Sequence, residues 1–494
     1  MLAMPLGLLT CALAMVGLAG APASAAAQPA PVAVSVHIDS SRPGRVVAHQ
    51  FLGLSFEAAA LAQIASFSER GDLVTLLRSL GPGVIRFGGV TADQNVGWTD
   101  AATAAPPWAS STIDPHDLEA LGVLARRANW SVLLTVGMAH YEPLAAAREV
   151  AAAHHALGSR LLAVEIGNEP DAYGRHGFRP LPWLTQGYDE EVGFYREAIA
   201  TLTPGVPIAG PDVSGSGLFG DWGEAEALAQ QPALLTGHHY PLGCAAVPPP
   251  SIQTLLSANT RHRESGSLRS YMRVSRTNGI PLRIDESNSV SCGGVPGISN
   301  TFASALWAAG YIAETMAAGS SGINLQGNPV NCPGYTPLCA PTAQALAAGQ
   351  LNARPDWYAM LLTHSLVGTR PLSATLGPAP VPNLDAQPFI GPGRTLQVVL
   401  VDDEPPGSAP LAVALHVGGG YGPAQVLRMT APSPQATDGV TLGGRPVAAG
   451  GSWRPGRLEH VGTRAGVLSV SLAPSSGALV TVTPPAPPRR HGHR

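Results

Sequence analysis

The chain carries little charge for its length. Only 13% of its 494 residues are charged, and a formal net charge of −4 accompanies an isoelectric point near 6.4. Nucleic-acid binding needs a basic surface that neutralises phosphates, so this balance argues against nucleic acid as a partner. The 57 glycines and 47 prolines supply many turns. Together with the apolar content they predict a folded protein rather than a disordered one, and the length of 494 residues is sufficient for two or three domains.

Beyond the N-terminus the sequence lacks any apolar run long enough to span a bilayer. The first 25 residues have an apolar core that ends in Ala-Ser-Ala at Ala23 to Ala25, which predicts a signal peptide at residues 1–25. No Lys or Arg precedes that core, so an uncleaved anchor is the alternative. Pro5 and Pro22 leave only about 16 residues between them, fewer than a membrane span needs. We therefore expect a secreted protein, extracellular or periplasmic, with no membrane association after cleavage.

The sequence has no CxxC motif and few cysteines. Cys11 falls in the predicted signal peptide, which leaves Cys244, Cys292, Cys332 and Cys339 in the exported chain. An even number of cysteines in an exported protein predicts disulfides. Cys332 and Cys339 share one loop and are expected to pair, which leaves Cys244 for Cys292. A zinc site is the alternative, but no metal-ligand spacing supports it.

Strand-like apolar runs alternate with helical patterns over residues 51–350. In order the runs are FLGLSFE, GVIRFGG, WSVLLTVGM, LLAVEIGNEPD, VPIAGPD, ALLTGHHYP, PLRIDESNS and GINLQGN. Eight such units over about 300 residues predict an α/β protein built on a (β/α)8 TIM barrel. A doubly wound open sheet is the alternative, but no Gly-rich phosphate loop follows the first strand.

The segments on either side of the predicted barrel have the sequence patterns of β-structure and, at the C-terminus, of a tail. Short β-type runs separated by turn residues predict an antiparallel β-sandwich at 351–485. Residues 26–50 form a linker and N-terminal strands that join this sandwich, since VAVSVHID alternates with period two and a second short strand is expected at 45–48. The Pro- and Arg-rich end, 486–494, is expected to be disordered.

Two glutamates end strands of the predicted barrel. Glu169 follows the fourth apolar run, just before Pro170, and Glu286 ends the seventh. Catalytic groups of such barrels lie at the carboxyl ends of the strands, so these two side chains should meet at one mouth. Two facing carboxyl groups are the minimum apparatus for hydrolysis of a glycoside. Glu165 has the same strand parity as Glu169 and is a deeper competitor for the acid role.

The motifs around these glutamates resemble glycoside hydrolases of clan A, and more narrowly family 79. The matching segments are GLSFE, RFGGVTAD, EIGNEPD, GHHYP, RIDESNS and ISNTFASALWAAGYI, in order from about residue 51 to 340. The family includes β-glucuronidases, 4-O-methyl-glucuronidases and heparanase-like enzymes. The resemblance implies a retaining enzyme that needs no metal or other cofactor.

The resemblance also implies roles for particular residues. Glu169 is the implied acid/base and Glu286 the implied nucleophile, with Asn168 near the sugar 2-OH and Tyr240 on the nucleophile. An acid/base must hold a proton when substrate arrives, so the pKa of Glu169 should be raised by burial and by the charge of Glu286. Glu57 is expected to hold a sugar hydroxyl, or alternatively to form an ion pair with Arg86.

The substrate implied is a glycan that carries uronic acid. The loop Gly334-Tyr335-Thr336-Pro337 resembles the family's carboxylate-reading loop, which makes Tyr335 and Gly334 candidate substrate-binding residues. The chain departs from the family after the nucleophile, where Val290, Ser291 and Cys292 replace the tyrosines of bacterial relatives. That difference leaves a neutral sugar open as the preferred substrate.

Three functions therefore remain open from the sequence. The leading one is a secreted, retaining hydrolase of terminal β-linked glucuronic acid or 4-O-methyl-glucuronic acid, acting as a monomer. The second is another clan A retaining glycosidase, such as a β-xylosidase or an endo-glycanase. The third is a non-catalytic carbohydrate-binding protein, which the presence of both glutamates disfavours.

Overall fold

The structure is a computed structural model that describes residues 29–456 and 458–484. The predicted signal peptide and the predicted tail at 486–494 lie outside the described residues. Within the described part of the chain, no helix combines the length and the apolar character needed to cross a membrane.

Eight parallel strands close into a barrel, which confirms the predicted fold. In chain order they are Leu52–Glu57, Val84–Gly88, Ser131–Val136, Leu161–Ile166, Ile208–Val213, Leu234–His239, Leu282–Ser287 and Gly322–Gln326. The eighth strand pairs with the first in parallel register, with Leu325 opposite Leu54, and this pairing closes the ring. The strands are buried on both faces, as a parallel sheet covered by helices requires.

Helices surround the barrel. The longer ones are Leu61–Ser66, Leu73–Ser79, Pro115–Ala128, Pro143–Leu157, Thr185–Leu202, Ser216–Ala229, Ala258–Asn278, Phe302–Ala318 and Pro355–Thr363. Short helices lie at Val90–Gln94, Tyr173–His176, Ile252–Leu255 and Ala343–Ala348. Two small pairs of strands decorate the loops, Val96–Trp98 with Ser111–Ile113 and Leu338–Cys339 with Asn352–Ala353.

The helix Pro115–Ala128 shows how local sequence sets an element. Asp114 accepts a hydrogen bond from the backbone N–H of Asp117, whose side chain accepts one from the N–H of Asp114. Pro115 occupies the first helical position, where its missing N–H costs nothing. Asn129 ends the helix in the left-handed conformation that stops such helices. Asp114 and Pro115 therefore define the start of this helix.

The second layer of the molecule is a β-sandwich. One sheet has the strand order Ser373–Gly377, Val32–Asp39, Leu411–His416, Val467–Leu472. The other contains Arg370–Pro371, Leu384–Ile390, Leu396–Asp402, Ser476–Val482, Ala424–Thr430, Thr441–Leu442 and Glu459–Val461. Alternate residues of both sheets, among them Val36, Val398, Val413 and Val470, form its core. The N-terminal strand completes the sandwich because its one-sided apolar pattern matches that core.

Three details differ from the expectation. The strand Val32–Asp39 runs parallel to Leu411–His416, so the sandwich is not wholly antiparallel. No strand forms at 45–48, where the chain leads directly into the barrel. A helix, Pro355–Thr363, occupies the start of the segment assigned to β-structure. It packs against Phe302–Ala318 and is buried along its whole length, so its largely apolar sequence shows no alternation of buried and exposed positions with a helical period.

Candidate active site

The two predicted glutamates lie at the same end of the barrel. Glu169 follows the fourth strand in the left-handed conformation, with φ of 48°, and caps the short 3-10 helix Pro170–Ala172. Glu286 lies in the seventh strand, one residue before its end. Their side chains are 23% and 9% exposed. One carboxylate oxygen of Glu169 lies within 4.8 Å of one of Glu286, so the structure brings the two carboxyl groups together.

A buried histidine connects them. His238, on the sixth strand, places Nδ1 2.9 Å from Oε1 of Glu169 and 3.8 Å from Oε1 of Glu286. Its Nε2 lies 2.8 Å from Oδ1 of Asp212 at the end of the fifth strand. The imidazole is wholly inaccessible to solvent. Both of its ring nitrogens are therefore engaged by carboxylates.

One arginine neutralises the floor of the site. Arg86 is fully buried, and its guanidinium lies 2.8 to 3.0 Å from carboxylate oxygens of Glu165, Asp212, Asp285 and Glu286. Buried charges are tolerated only when they are paired with opposite charges, and here one guanidinium forms ion pairs with four carboxylates. Glu165 accepts a hydrogen bond from Arg86 in this cluster and does not line the cavity. It is therefore a structural group rather than a second candidate for the catalytic acid.

Asn168 is held beside Glu169 by two fixed contacts. Its Oδ1 accepts a hydrogen bond from Arg86 at 3.0 Å. Its backbone N–H donates to the buried carboxylate of Asp93, which also accepts from the N–H of Met138 and the hydroxyl of Tyr173. With its oxygen occupied by Arg86, the amide nitrogen of Asn168 is left as the group available at the cavity.

A pair of tyrosines flanks the second glutamate. The hydroxyl of Tyr240 donates to Oε1 of Glu286 at 2.7 Å, and lies 3.2 Å from the hydroxyl of Tyr335. The backbone N–H of Tyr335 donates to the carbonyl of Gly293. A Cβ at Gly334 would lie 2.3 Å from that same carbonyl, so only glycine permits this approach of the two loops.

Glu57 does not pair with Arg86, which corrects one of the two alternatives drawn from the sequence. Its Oε2 instead accepts hydrogen bonds from the backbone N–H and the hydroxyl of Thr91, at 3.0 and 2.7 Å. Burial and the charge of Glu286 raise the pKa of Glu57. The other oxygen of Glu57 remains near Gln326, 3.5 Å away.

The predicted substrate-contacting side chains border one cavity of about 780 Å³, whereas Gly334 is not among the residues that line it. Its lining includes Glu57, Asn168, Glu169, Tyr240, Glu286 and Tyr335. The lining also includes the small residues at 214–217 and Arg263. This volume falls in the range of sites that enclose a small organic ligand.

The pKa of Glu169 departs from the expectation. Burial favours its neutral form, but the hydrogen bond with His238 and the charges of His238 and Arg86 outweigh burial and lower the pKa. Burial likewise disfavours a charged His238, yet the charges of Glu286, Asp212 and Asp285 hold the pKa of that imidazole well above its ordinary value. The prediction of a raised pKa for Glu169 is therefore wrong, because it did not include His238.

Within the described residues, two trios of side chains offer atoms that a metal could bind. They are Glu169, His238 and Glu286, and Asp212, His238 and Asp285. Both trios share His238, whose two nitrogens are already hydrogen-bonded to carboxylates. Arg86 supplies positive charge to the same acids. The donor set is therefore engaged as an acid–base network.

Both predicted disulfides are present. Cys244–Cys292 joins the loops that follow the sixth and seventh barrel strands, and Cys292 lines the cavity. Cys332–Cys339 closes the loop that carries Tyr335. The pairing leaves none of these four cysteines for a zinc site.

Three polar residues of the site were not identified from the sequence as functional. Asp212, His238 and Asp285 lie at or near strand ends, in runs that were recognised as strands. The strand-end rule that found Glu169 and Glu286 would also have selected them. What the sequence could not reveal is that Asp212 and Asp285 both contact Arg86 and His238, and that His238 in turn contacts Glu169.

Comparison with known proteins supports a relationship to glycoside hydrolases. No protein-family model matches the chain. A β-glucuronidase of Aspergillus niger is 30% identical over 174 residues, which cover 30% of this chain and 31% of the relative. The matched part thus spans about a third of the length of that curated relative.

Solved structures agree over nearly the whole chain. A 4-O-α-L-rhamnosyl-β-D-glucuronidase from Fusarium oxysporum aligns with a TM-score of 0.73 and 19% identity, covering 90% of this chain and 100% of that one. A family 51 arabinofuranosidase from Xanthomonas axonopodis pv. citri aligns with a TM-score of 0.64 and 14% identity, over 91% and 99%. At these identities the likeness establishes the fold. The chain is thus a homologue of a β-glucuronidase, built on the barrel-and-sandwich fold that it shares with these glycoside hydrolases.

Proposed function

We propose that the protein is a secreted, retaining glycoside hydrolase that removes terminal β-linked glucuronic acid, or its 4-O-methyl form, from glycans or glycoconjugates. The observation that carries this proposal is the approach of Glu169 and Glu286 to within 4.8 Å. Retaining enzymes hold their two carboxyl groups about 5–5.5 Å apart, whereas inverting enzymes leave about 6.5–9.5 Å for a water molecule. The separation here favours double displacement.

The reaction assigns a distinct task to each carboxyl group. Glu286 attacks the anomeric carbon while Glu169 gives a proton to the leaving oxygen, which yields a glycosyl-enzyme ester. Water then attacks the same carbon as Glu169 removes its proton, so the β-configuration is restored. Tyr240 and Arg86 support the nucleophile, because they donate to its two different oxygens.

The sugar preference rests on Tyr335 and on the similarity to glucuronidases. The hydroxyl of Tyr335 lies beside Tyr240 at the Glu286 side of the cavity, where the sugar ring has to sit. A neutral hydroxyl donor and backbone N–H groups suit a sugar carboxylate. Burial keeps the pKa of Tyr335 above its ordinary value, so the phenol remains a donor at neutral pH.

Secretion is supported by the two disulfides and by the N-terminal sequence. Disulfides persist in oxidising compartments outside the cytosol, and four cysteines form two of them here. Mass spectrometry of the mature N-terminus after expression with the full leader would test cleavage near residue 25.

The decisive experiment compares wild type with Glu169→Ala and Glu286→Ala on a chromogenic aryl β-glucuronide. Both variants should lose activity. Azide should restore turnover in both, giving the β-glycosyl azide from Glu169→Ala and the α-glycosyl azide from Glu286→Ala. The same azide configuration from both, or full activity in either variant, would refute the assignment.

An aryl β-xyloside and an aryl β-glucoside belong in the same assay. Hydrolysis of a neutral glycoside in preference to the glucuronide would keep the two carboxylates and remove Tyr335 as a reader of the uronate. Inactivity on all aryl glycosides would favour an endo-acting enzyme or a binding protein.

A further inference from the structure

His238 bridges the acid/base and a second, deeper carboxylate. Nδ1 lies 2.9 Å from Glu169 and Nε2 lies 2.8 Å from Asp212. Because the imidazole is wholly buried, bulk solvent does not reach either of its ring nitrogens. A buried carboxylate that accepts a hydrogen bond from one ring nitrogen of a histidine fixes the orientation of the ring. The other ring nitrogen is then the one that can gain or lose a proton.

Asp212 fixes both of the groups that would exchange a proton. Its Oδ1 contacts His238, and its Oδ2 accepts a hydrogen bond from Arg86 at 2.8 Å. Its backbone carbonyl accepts from the N–H of Glu169 at 2.9 Å. With Nε2–H directed to Asp212, the proton of the imidazole that can move is the one on Nδ1, which faces Glu169.

The surroundings favour a proton on His238. The titratable groups that face it or its two partners are Arg86, Glu165, Asp171, His176, Tyr271, Asp285 and Glu286. Tyr271 donates to the carbonyl of His238 from the helix Ala258–Asn278. Carboxylates outnumber the cations in this set, so an imidazolium is stabilised there.

We propose that His238, anchored by Asp212, stores the proton that Glu169 delivers to the leaving group, an inference that rests on the proposed function. In the resting site the imidazolium donates Nδ1–H to the Glu169 carboxylate. As the glycosidic bond weakens, the Nδ1–H bond breaks and an O–H bond forms on Glu169, which passes its proton to the leaving oxygen. The imidazole is left neutral, with Nε2–H still on Asp212.

The second half of the reaction returns the proton to His238. Glu169 removes a proton from the attacking water, and that proton returns to Nδ1 of His238. No external acid is needed, and protons balance over the cycle. This arrangement accounts for a lowered pKa at Glu169 together with a raised pKa at His238, because the shared proton rests on the imidazole.

Leaving-group dependence distinguishes a proton store from a structural histidine. His238→Gln keeps hydrogen-bonding atoms but holds no mobile proton near neutral pH. On phenyl β-glucuronide at pH 7 we expect kcat/KM to fall by about 10²- to 10⁴-fold, the size of a general-acid contribution. On the 2,4-dinitrophenyl glucuronide, whose leaving group needs no proton, the loss should stay below about 10-fold. Equal losses on both substrates would overturn the proposal.

A matched pair of charge variants tests the anchor. Asp212→Asn and Glu165→Gln each remove one carboxylate from the Arg86 cluster, but only Asp212 contacts His238. The basic limb of the kcat/KM profile should move to lower pH in Asp212→Asn, because the imidazolium loses its partner, and should move less in Glu165→Gln. Equal shifts in the two variants would contradict the role of Asp212.

Nitrogen-15 NMR of histidine-labelled protein tests the resting state without any substrate. One buried histidine should show imidazolium shifts at pH 7.5, and Glu169→Gln should shift that signal toward the neutral form. A neutral signal in wild type would overturn the inference even if glucuronidase activity is found. Conversely, an enzyme silent on every glucuronide would defeat the proposed function while leaving the imidazolium measurement interpretable.

Discussion

The hydroxyl of Tyr240 donates a 2.7 Å hydrogen bond to Oε1 of Glu286. Arg86 donates to the other oxygen of the same carboxylate at 2.8 Å. With both oxygens engaged, the carboxylate cannot rotate freely, and its orientation is set before substrate binds. Burial and the charge of Glu286 raise the pKa of Tyr240 well above its ordinary value, so the phenol keeps its proton and remains a donor.

Removing this donor should slow the reaction without unfolding the protein. Tyr240→Phe is expected to lower kcat/KM on an aryl glucuronide by about 10- to 10²-fold, since the carboxylate loses one of its two orienting hydrogen bonds. Steady-state kinetics would measure this. Tyr421→Phe, a partly buried tyrosine of the sandwich, is the control and should change nothing. An undiminished rate in Tyr240→Phe would show that Arg86 alone orients the nucleophile.

Tyr335 should set the preference between charged and neutral sugars. In Tyr335→Phe one donor to the sugar carboxylate is lost, so the ratio of kcat/KM for the aryl glucuronide over the aryl glucoside should fall by about 10-fold. Tyr240→Phe provides the comparison, because it should slow both substrates alike. A parallel loss on both sugars in Tyr335→Phe would assign this tyrosine to catalysis rather than to recognition.

Arg86 should be essential for stability as well as for the site. Arg86→Met leaves four buried carboxylates without their cation, and we expect the free energy of unfolding to fall by about 3–5 kcal/mol. Urea unfolding followed by far-ultraviolet circular dichroism would measure this. Arg428→Met breaks an ion pair with Glu459 in which both side chains are 30–45% exposed, and it should cost less than about 1 kcal/mol. If the two variants lost similar amounts of unfolding free energy, the claim that burial makes the Arg86 ion pairs important would be refuted.

Glu149 should make the protein less stable as the pH rises. Burial raises the pKa of Glu149 from 4.5 to about 8. Between these values the unfolded chain has released a proton that the folded chain retains, so stability conferred below pH 4.5 is lost progressively up to about pH 8.

The variant Glu149→Gln removes that titration. Its free energy of unfolding should match wild type near pH 4 and exceed it at pH 8 by on the order of 4 kcal/mol. Chemical denaturation at several pH values would show whether the difference grows. Glu119→Gln, an exposed glutamate on the helix Pro115–Ala128, is the control and should show a constant difference. A flat difference for Glu149→Gln as well would contradict the assignment.

The positions of the two glutamates were predictable because a parallel barrel obeys a simple rule. Every strand ends at the same mouth, so a polar residue after an apolar run reaches that mouth whatever its distance along the chain. The same rule, with the motif resemblance, located Asn168 and Tyr240. Cysteine counting predicted both disulfides: Cys332 and Cys339 share one loop, and the loops that hold Cys244 and Cys292 follow neighbouring strands.

The outcomes that went against prediction depend on partners distant in sequence. Glu57 accepts a hydrogen bond from Thr91, 34 residues away in the sequence. Arg86 forms ion pairs with four carboxylates from other strands. The pKa of Glu169 is lowered because His238 reaches it from two strands away. Pairwise distances of this kind have no signature in local periodicity or composition.

The amino-acid sequence therefore specified the barrel, the strand ends that carry Glu169 and Glu286, and the class of chemistry they suit, because hydrophobic period and turn residues are local properties. The folded arrangement determined the directions in which the pKa values of Glu169 and His238 shift. Those properties follow from burial and from charges brought within about 3–4 Å across the barrel, where electrostatic interactions are strong and water is excluded.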